Sequence, residues 1–282
     1  MCFFLARTGS DLRGRRGIPQ RRPGTGNIPA PLVVPLLFSI FLTGCPQQRV
    51  VRVEVPAENI LRANEVSQEG DLAFARRDYY AALIKFLEAS RLNPNSHAIL
   101  NKLGIAYSQL KYYSDAGPAF ERAIALNPKF AYAYNNLGTV YFAADDKSRA
   151  EKFFKKAIAL QEDVASFHIN LGTLYFEKGK YQKGMAELRK GLMLDPGIGG
   201  RGEGMALAQA PSRGSSNEKN YFMARVYASM GDVDRAVESL KQALGAGFTD
   251  IDAIRKEPDF DKIRRDDKFI AFMQQATLMT KN

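Results

Sequence analysis

The chain has 282 residues and a formal net charge of +10, and 45% hydrophobic with 25% charged residues is enough to build a sizeable core. The charge is uneven: Arg7, Arg13, Arg15, Arg16, Arg21 and Arg22 face one acid, Asp11, before Cys45, so half of the excess lies in that leader. A basic nucleic-acid-binding face is therefore not expected on the body, and Cys2 and Cys45, the only two cysteines, exclude a disulfide framework or a thiolate metal cage.

In chain order, residues 28–42 are mostly apolar, but the stretch is too short to cross a bilayer and is broken by Pro29, Pro31 and Pro35. A basic region, a short apolar core and small residues at its end make the layout of a secretory signal peptide over 1–45. It closes on Leu42-Thr43-Gly44-Cys45, which resembles the lipobox of bacterial lipoproteins. That resemblance implies a diacylglycerol on the Cys45 thiol and a body facing the periplasm. Each acyl CH₂ contributes about 0.8 kcal/mol of membrane affinity, and two or more chains give a stable anchor. Pro46 stands where some bacteria use Asp for inner-membrane retention, which points to the outer membrane. Residues 46–57, which alternate apolar and polar only from Val51 to Val55 and have no partner strand, are expected to be an extended tether.

From there the sequence repeats. Pro94, Pro128 and Pro196 are spaced by 34 and twice 34, and Gly70, Gly104, Gly138 and Gly172 keep the same period. Phe74, Tyr107, Tyr141 and Tyr175 form a column, as do Ala82, Ala116, Ala150 and Gly184. So do Phe86, Phe120, Phe154 and Leu188, and likewise Ala89, Ala123, Ala157 and Gly191. A unit of this length holds two helices, each marginal alone in water. The small columns let two backbones approach, the large ones fill the space beside them, and Pro ends the second helix. Pro118 is expected in the first turn of its helix, where it is tolerated.

The pattern resembles the tetratricopeptide repeat (TPR), and 97–130 matches its signature with Leu100 in place of the usual Trp. The resemblance implies an all-α fold, an α-solenoid of about five helix–turn–helix units and a C-terminal cap. Units 1–4 fall within 58–198, starting at 63, 97, 131 and 165. A Gly/Ser-rich insertion, 199–216, reads as a flexible loop, 217–250 as unit 5, and 251–282 as a helical cap. In the cap, Phe260, Ile263, Phe269, Ile270 and Phe272 are expected to pack on unit 5. Gly197-x-Gly199-x-x-Gly202 spells a dinucleotide fingerprint, but a helix precedes it where a strand is required, so no nucleotide site is expected.

In TPR proteins the first helices line a concave groove that binds peptides. Mapped onto this chain, the groove would present Asn101, Ile105, Tyr132, Asn135, Thr139, Phe142, Ile169, Thr173 and Phe176. The amides would bond an extended backbone and the aromatics would supply apolar anchors. Asn136, Asn170 and Lys102 lie one place further round. The Lys/Asn/Arg clamp of chaperone-tail-binding TPRs is missing. His97 and His168 are the only histidines and have no Ser, Cys or metal-ligand constellation around them. No enzyme activity, cofactor, metal or small-molecule substrate is therefore expected. The expected function is a membrane-anchored scaffold that binds other envelope proteins in its groove. The alternative is a dedicated, pilotin-like assembly factor for a type IV pilus or secretion system.

Overall fold

The computed structural model describes residues 51–198 and 216–279. The leader with Cys45, the first part of the tether and nearly all of the insertion lie outside the described residues. Twelve α-helices are present among the described residues, and no strand. They are α1 (Ala57–Ala75), α2 (Tyr79–Leu92), α3 (His97–Gln109), α4 (Tyr113–Leu126), α5 (Ala131–Ala143) and α6 (Lys147–Leu160). They continue as α7 (Ala165–Glu177), α8 (Tyr181–Leu194), α9 (Ser216–Met230), α10 (Val233–Gly245), α11 (Ile251–Lys256) and α12 (Asp267–Met279). A 3₁₀ turn, Pro258–Phe260, joins the last two.

Helix starts are set locally by side chains that accept from otherwise unpaired backbone N–H groups. Asp78, Ser96, Asp146, Asp232 and Asp250 do this for α2, α3, α6, α10 and α11. Within each of the first three units the hairpin bends through a left-handed residue at the 34-residue period: Arg77, Lys111 and Asp145, with φ of 62°, 63° and 58°. Gly179 takes the same place in the fourth, at 66°. The expected position of Pro118 is corrected: it lies inside α4, past the first turn, with its ring exposed.

The small and large columns meet as pairs. A Cβ placed on Gly70, Gly104 or Gly138 would come within 2.6, 2.5 and 2.7 Å of the rings of Phe86, Phe120 and Phe154. On Gly172 it would come within 2.8 Å of Leu188. Each glycine is therefore the flat spot on which the second helix of its unit rests. Ala82, Ala89, Ala116, Ala123, Ala150 and Ala157 are wholly buried beside these contacts. The apolar interior is a series of separate clusters between adjacent helices, as expected when each repeat touches only its neighbours.

At the C-terminal end, α9, α10 and the tail share one larger cluster containing Tyr221, Ala224, Leu240, Phe260, Ile263, Phe269 and Phe272. Ile270 is corrected: it is 40% exposed and points away from this core. The cap is also held by charge. Arg225 on α9 reaches Glu257 at 3.0 Å and Asp259 at 2.9 Å, while Arg189 on α8 reaches Asp259 at 3.3 Å. At the other end, α1 shows Leu61 and Leu72 on one exposed stripe.

Between the third and fourth units, Glu151 is the acceptor for Lys155 (2.7 Å), Lys178 (2.6 Å) and the Tyr175 hydroxyl (3.2 Å). Burial pushes its carboxyl up, but the two lysines outweigh that and hold it down at about 2. A carboxyl lowered on folding stabilises the fold above its unfolded value near 4.5, and that contribution is lost as pH falls from about 4.5 to about 2. Allowing for partial solvent screening, the contribution is on the order of 2 kcal/mol. Denaturation midpoints measured from pH 7 to pH 2 should therefore fall less steeply in Glu151→Gln than in the parent below pH 5, from a lower starting point. Identical slopes in the two proteins would remove Glu151 from the acid response.

Candidate functional site

The first helices of successive units approach one another, α3 with α5 and α5 with α7, and no pair of second helices does so to the same extent. The first helices therefore form the inner side of the stack, and the sequence-predicted contact residues lie on or beside it.

Their burial divides them into two sets. Tyr132 is 43% exposed, with its ring packed edge-on against Phe167 at 5.3 Å and tilted against Phe130 at 5.9 Å. Ile105, Thr139 and Phe142 are half-buried. Asn101, Asn135, Ile169, Thr173 and Phe176 are buried, with Thr173 only 1% exposed. For these five the expectation of presented side chains is corrected, because each is used within the fold. Ile169 and Phe176 fill the space left by Gly191 and Gly184, where a Cβ would come within 2.8 and 2.3 Å of them. The Thr173 hydroxyl donates to the Ile169 carbonyl one turn earlier, at 2.8 Å.

The asparagines form a ladder. In each case a side chain reaches back 35 residues to the first helix of the preceding unit. Lys102 Nζ donates to the Ser67 hydroxyl at 3.2 Å and to Asp71 at 2.6 Å. Asn136 Nδ2 donates to Asn101 Oδ1 at 3.0 Å, and Asn170 Nδ2 to Asn135 Oδ1 at 2.9 Å. Asn135 Nδ2 donates sideways to Asn136 Oδ1 at 3.3 Å, joining two rungs. A buried amide needs partners for both its ends, and the stack engages both ends of Asn135 and of Asn136. In the fifth unit Phe222 occupies the reaching position and packs with the apolar group around Ile169, Phe176 and Met223.

Sequence reasoning placed Asn136 and Asn170 one step off the groove and left their partners open. The signal that identifies them is the recurrence of polar residues at adjacent positions in consecutive units: Ser67, Asn101 and Asn135, answered by Lys102, Asn136 and Asn170. His168 is buried, with Nδ1 2.7 Å from Glu187 and Nε2 2.9 Å from the Glu162 carbonyl, so it ties α7 to α8. His97 is half-buried against the Phe130 ring and bonded to Asn127. Among the described residues no group of three or more His, Cys, Asp or Glu is placed to hold a metal ion. No described helix is long and apolar enough to cross a membrane.

Comparison with known proteins gives the same repeat. Family models described as tetratricopeptide repeat match residues 67–129 and 108–164, residues 165–198 and residues 221–250. No curated protein matches the sequence. Among solved structures, a thermophilic TPR protein of Thermus thermophilus is 21% identical with a TM-score of 0.48, covering 77% of this chain and 99% of its own. MamA from Desulfovibrio magneticus RS-1, from residue 41 to its end, is 19% identical with a TM-score of 0.46, covering 67% and 95%. Another MamA structure is 25% identical with a TM-score of 0.43, covering 63% and 93%. The family matches together span more than half of the chain and reach all five helix pairs, and the chain belongs to the tetratricopeptide-repeat proteins.

Proposed function

We propose that this chain is a lipid-anchored scaffold of the bacterial cell envelope, joined to the membrane through Cys45 and holding a partner protein along the inner face of its first helices. The observation that carries the binding half is Tyr132. It is a large aromatic on the inner side, held in place by Phe130 and Phe167, with a substantial part of its surface still open. Rigid aromatics of this kind are the commonest source of binding energy at protein interfaces. Ile105 on α3, with Thr139 and Phe142 on α5, are further half-buried contacts of the same reading. Asn101 and Asn135 are assigned to the floor beneath, where they fix the spacing of the helices that carry the contacts. The anchoring half rests on the leader sequence ending at Cys45.

A photo-crosslinking residue placed at position 132 in cells tests the first half against the same residue at exposed Lys152. The reading expects a protein adduct from 132 and none from 152; equal labelling, or none at 132, contradicts it. Cys45→Ser tests the second half, and should move the chain from the membrane to the soluble fraction. Retention on the membrane would count against the lipid. A single pilus or secretin component as the adduct would narrow the scaffold to the assembly factor; several unrelated envelope proteins would favour the general scaffold.

A further inference from the structure

The segment before α1, Val51 to Pro56, takes neither helix nor strand, yet it is fixed to a turn 42 residues further along the chain. Asn95 Nδ2, in the turn between α2 and α3, donates to the Val53 carbonyl at 2.6 Å. The Val53 N–H in turn donates to Asn95 Oδ1 at 3.3 Å. One side-chain amide thus satisfies both polar groups of one residue, as a neighbouring strand would. Beside it, the Arg52 guanidinium donates to the Leu126 carbonyl at the end of α4, at 3.2 Å.

The turn that carries Asn95 is itself fixed. The Asn95 N–H donates to Asn93 Oδ1 at 3.2 Å, Arg122 donates to the Pro94 carbonyl at 3.3 Å, and Ser96 caps α3. The same place in the next two inter-unit turns is held by Lys129 and Asp163. Lys has no acceptor and an ionised Asp has no donor, so neither can make the paired contact. At this place only the first of these turns carries a side chain with both a donor and an acceptor.

We propose that Asn95 is a latch for the chain's own segment 51–55, which fixes where the polypeptide leaves the body: beside the second repeat, and not at the start of α1. The latch stands on the contacts above. Its consequence rests on the anchoring reading: with the latch closed, pull from a lipid at Cys45 is delivered to the α2–α3 turn and the end of α4, bypassing α1.

Limited trypsin digestion of the full chain reads the latch directly. Cleavage after Arg52 requires the arginine to leave Leu126 and the segment to lift from Asn95. Loss of two hydrogen bonds should raise the rate of scission at Arg52–Val53 roughly tenfold or more in Asn95→Ala, with the circular dichroism unchanged. Should that variant lose helix, Asn95→Asp carries the test by the same readout, since it keeps the acceptor but removes the donor. Equal cleavage at Arg52 in the parent and the variant overturns the proposal. The result does not depend on lipidation, so it separates a failed latch from a failed anchor, which Cys45→Ser reports on its own.

Discussion

Phe154→Ala is expected to lower the unfolding free energy by about 3–5 kcal/mol, the cost of emptying a fully buried aromatic site. The ring is wholly buried and lies against the bare backbone of Gly138, with Ala150 on its own helix and Leu171, Leu174 and Tyr175 of the next unit around it. It therefore serves both the closure of its own hairpin and the seam to the following one. A loss of this size is a large share of the whole stability of an ordinary domain. The converse change, Gly138→Ala, inserts a methyl 2.7 Å from the same ring and should cost about 1–3 kcal/mol. In the Phe154→Ala background the methyl enters vacated space, so the two costs should not add. Urea denaturation of the four proteins measures the cycle. Strict additivity, or a Phe154→Ala loss below about 1 kcal/mol, would mean that the columns are out of register.

The second large effect falls on Asn135. Replacement by Ala removes the acceptor of Asn170 and the donor to Asn136 in a buried row, and should cost about 1–3 kcal/mol. Tyr132→Ala, at a far more exposed inner-face position, should cost clearly less and act instead on partner capture. The comparison decides between two roles for the asparagines. As floor, Asn135 lowers the melting temperature when removed; as a ligand contact, it would leave the melting temperature alone and weaken capture. Melting curves of the two variants side by side make the distinction.

The sequence made the repeat legible because helix-pair packing imposes a period on residue size. Gly104 beneath Phe120 and Gly138 beneath Phe154 can be read without coordinates, since no larger residue fits either place. The C-terminal cap was legible instead from its apolar residues, Phe260, Ile263, Phe269 and Phe272. The inner face was less so. Family geometry names which positions point inward, but an inward side chain can be offered to a partner or spent on the next helix, and composition does not separate the two. Asn101 and Asn135 are spent because the following unit supplies Asn136 and Asn170 at the right height. Ile169 and Phe176 are spent because Gly191 and Gly184 leave room for them. The hold of Asn95 on Val53 joins residues 42 apart through the backbone N–H and C=O of one residue, and leaves no periodic trace.

The Arg225–Glu257–Asp259 cluster, with Arg189 tied into it, gives the array two unlike ends. The C-terminal end is riveted, because loosening the tail means parting charges that bridge α8, α9 and the cap together. At the opposite end, among the described residues, α1 has only one flank clad and wears Leu61 and Leu72 on the outside. Thermal fraying therefore has a direction: it starts at the front of the stack and runs backward, and the last pair is the one that keeps a template on which the others re-form.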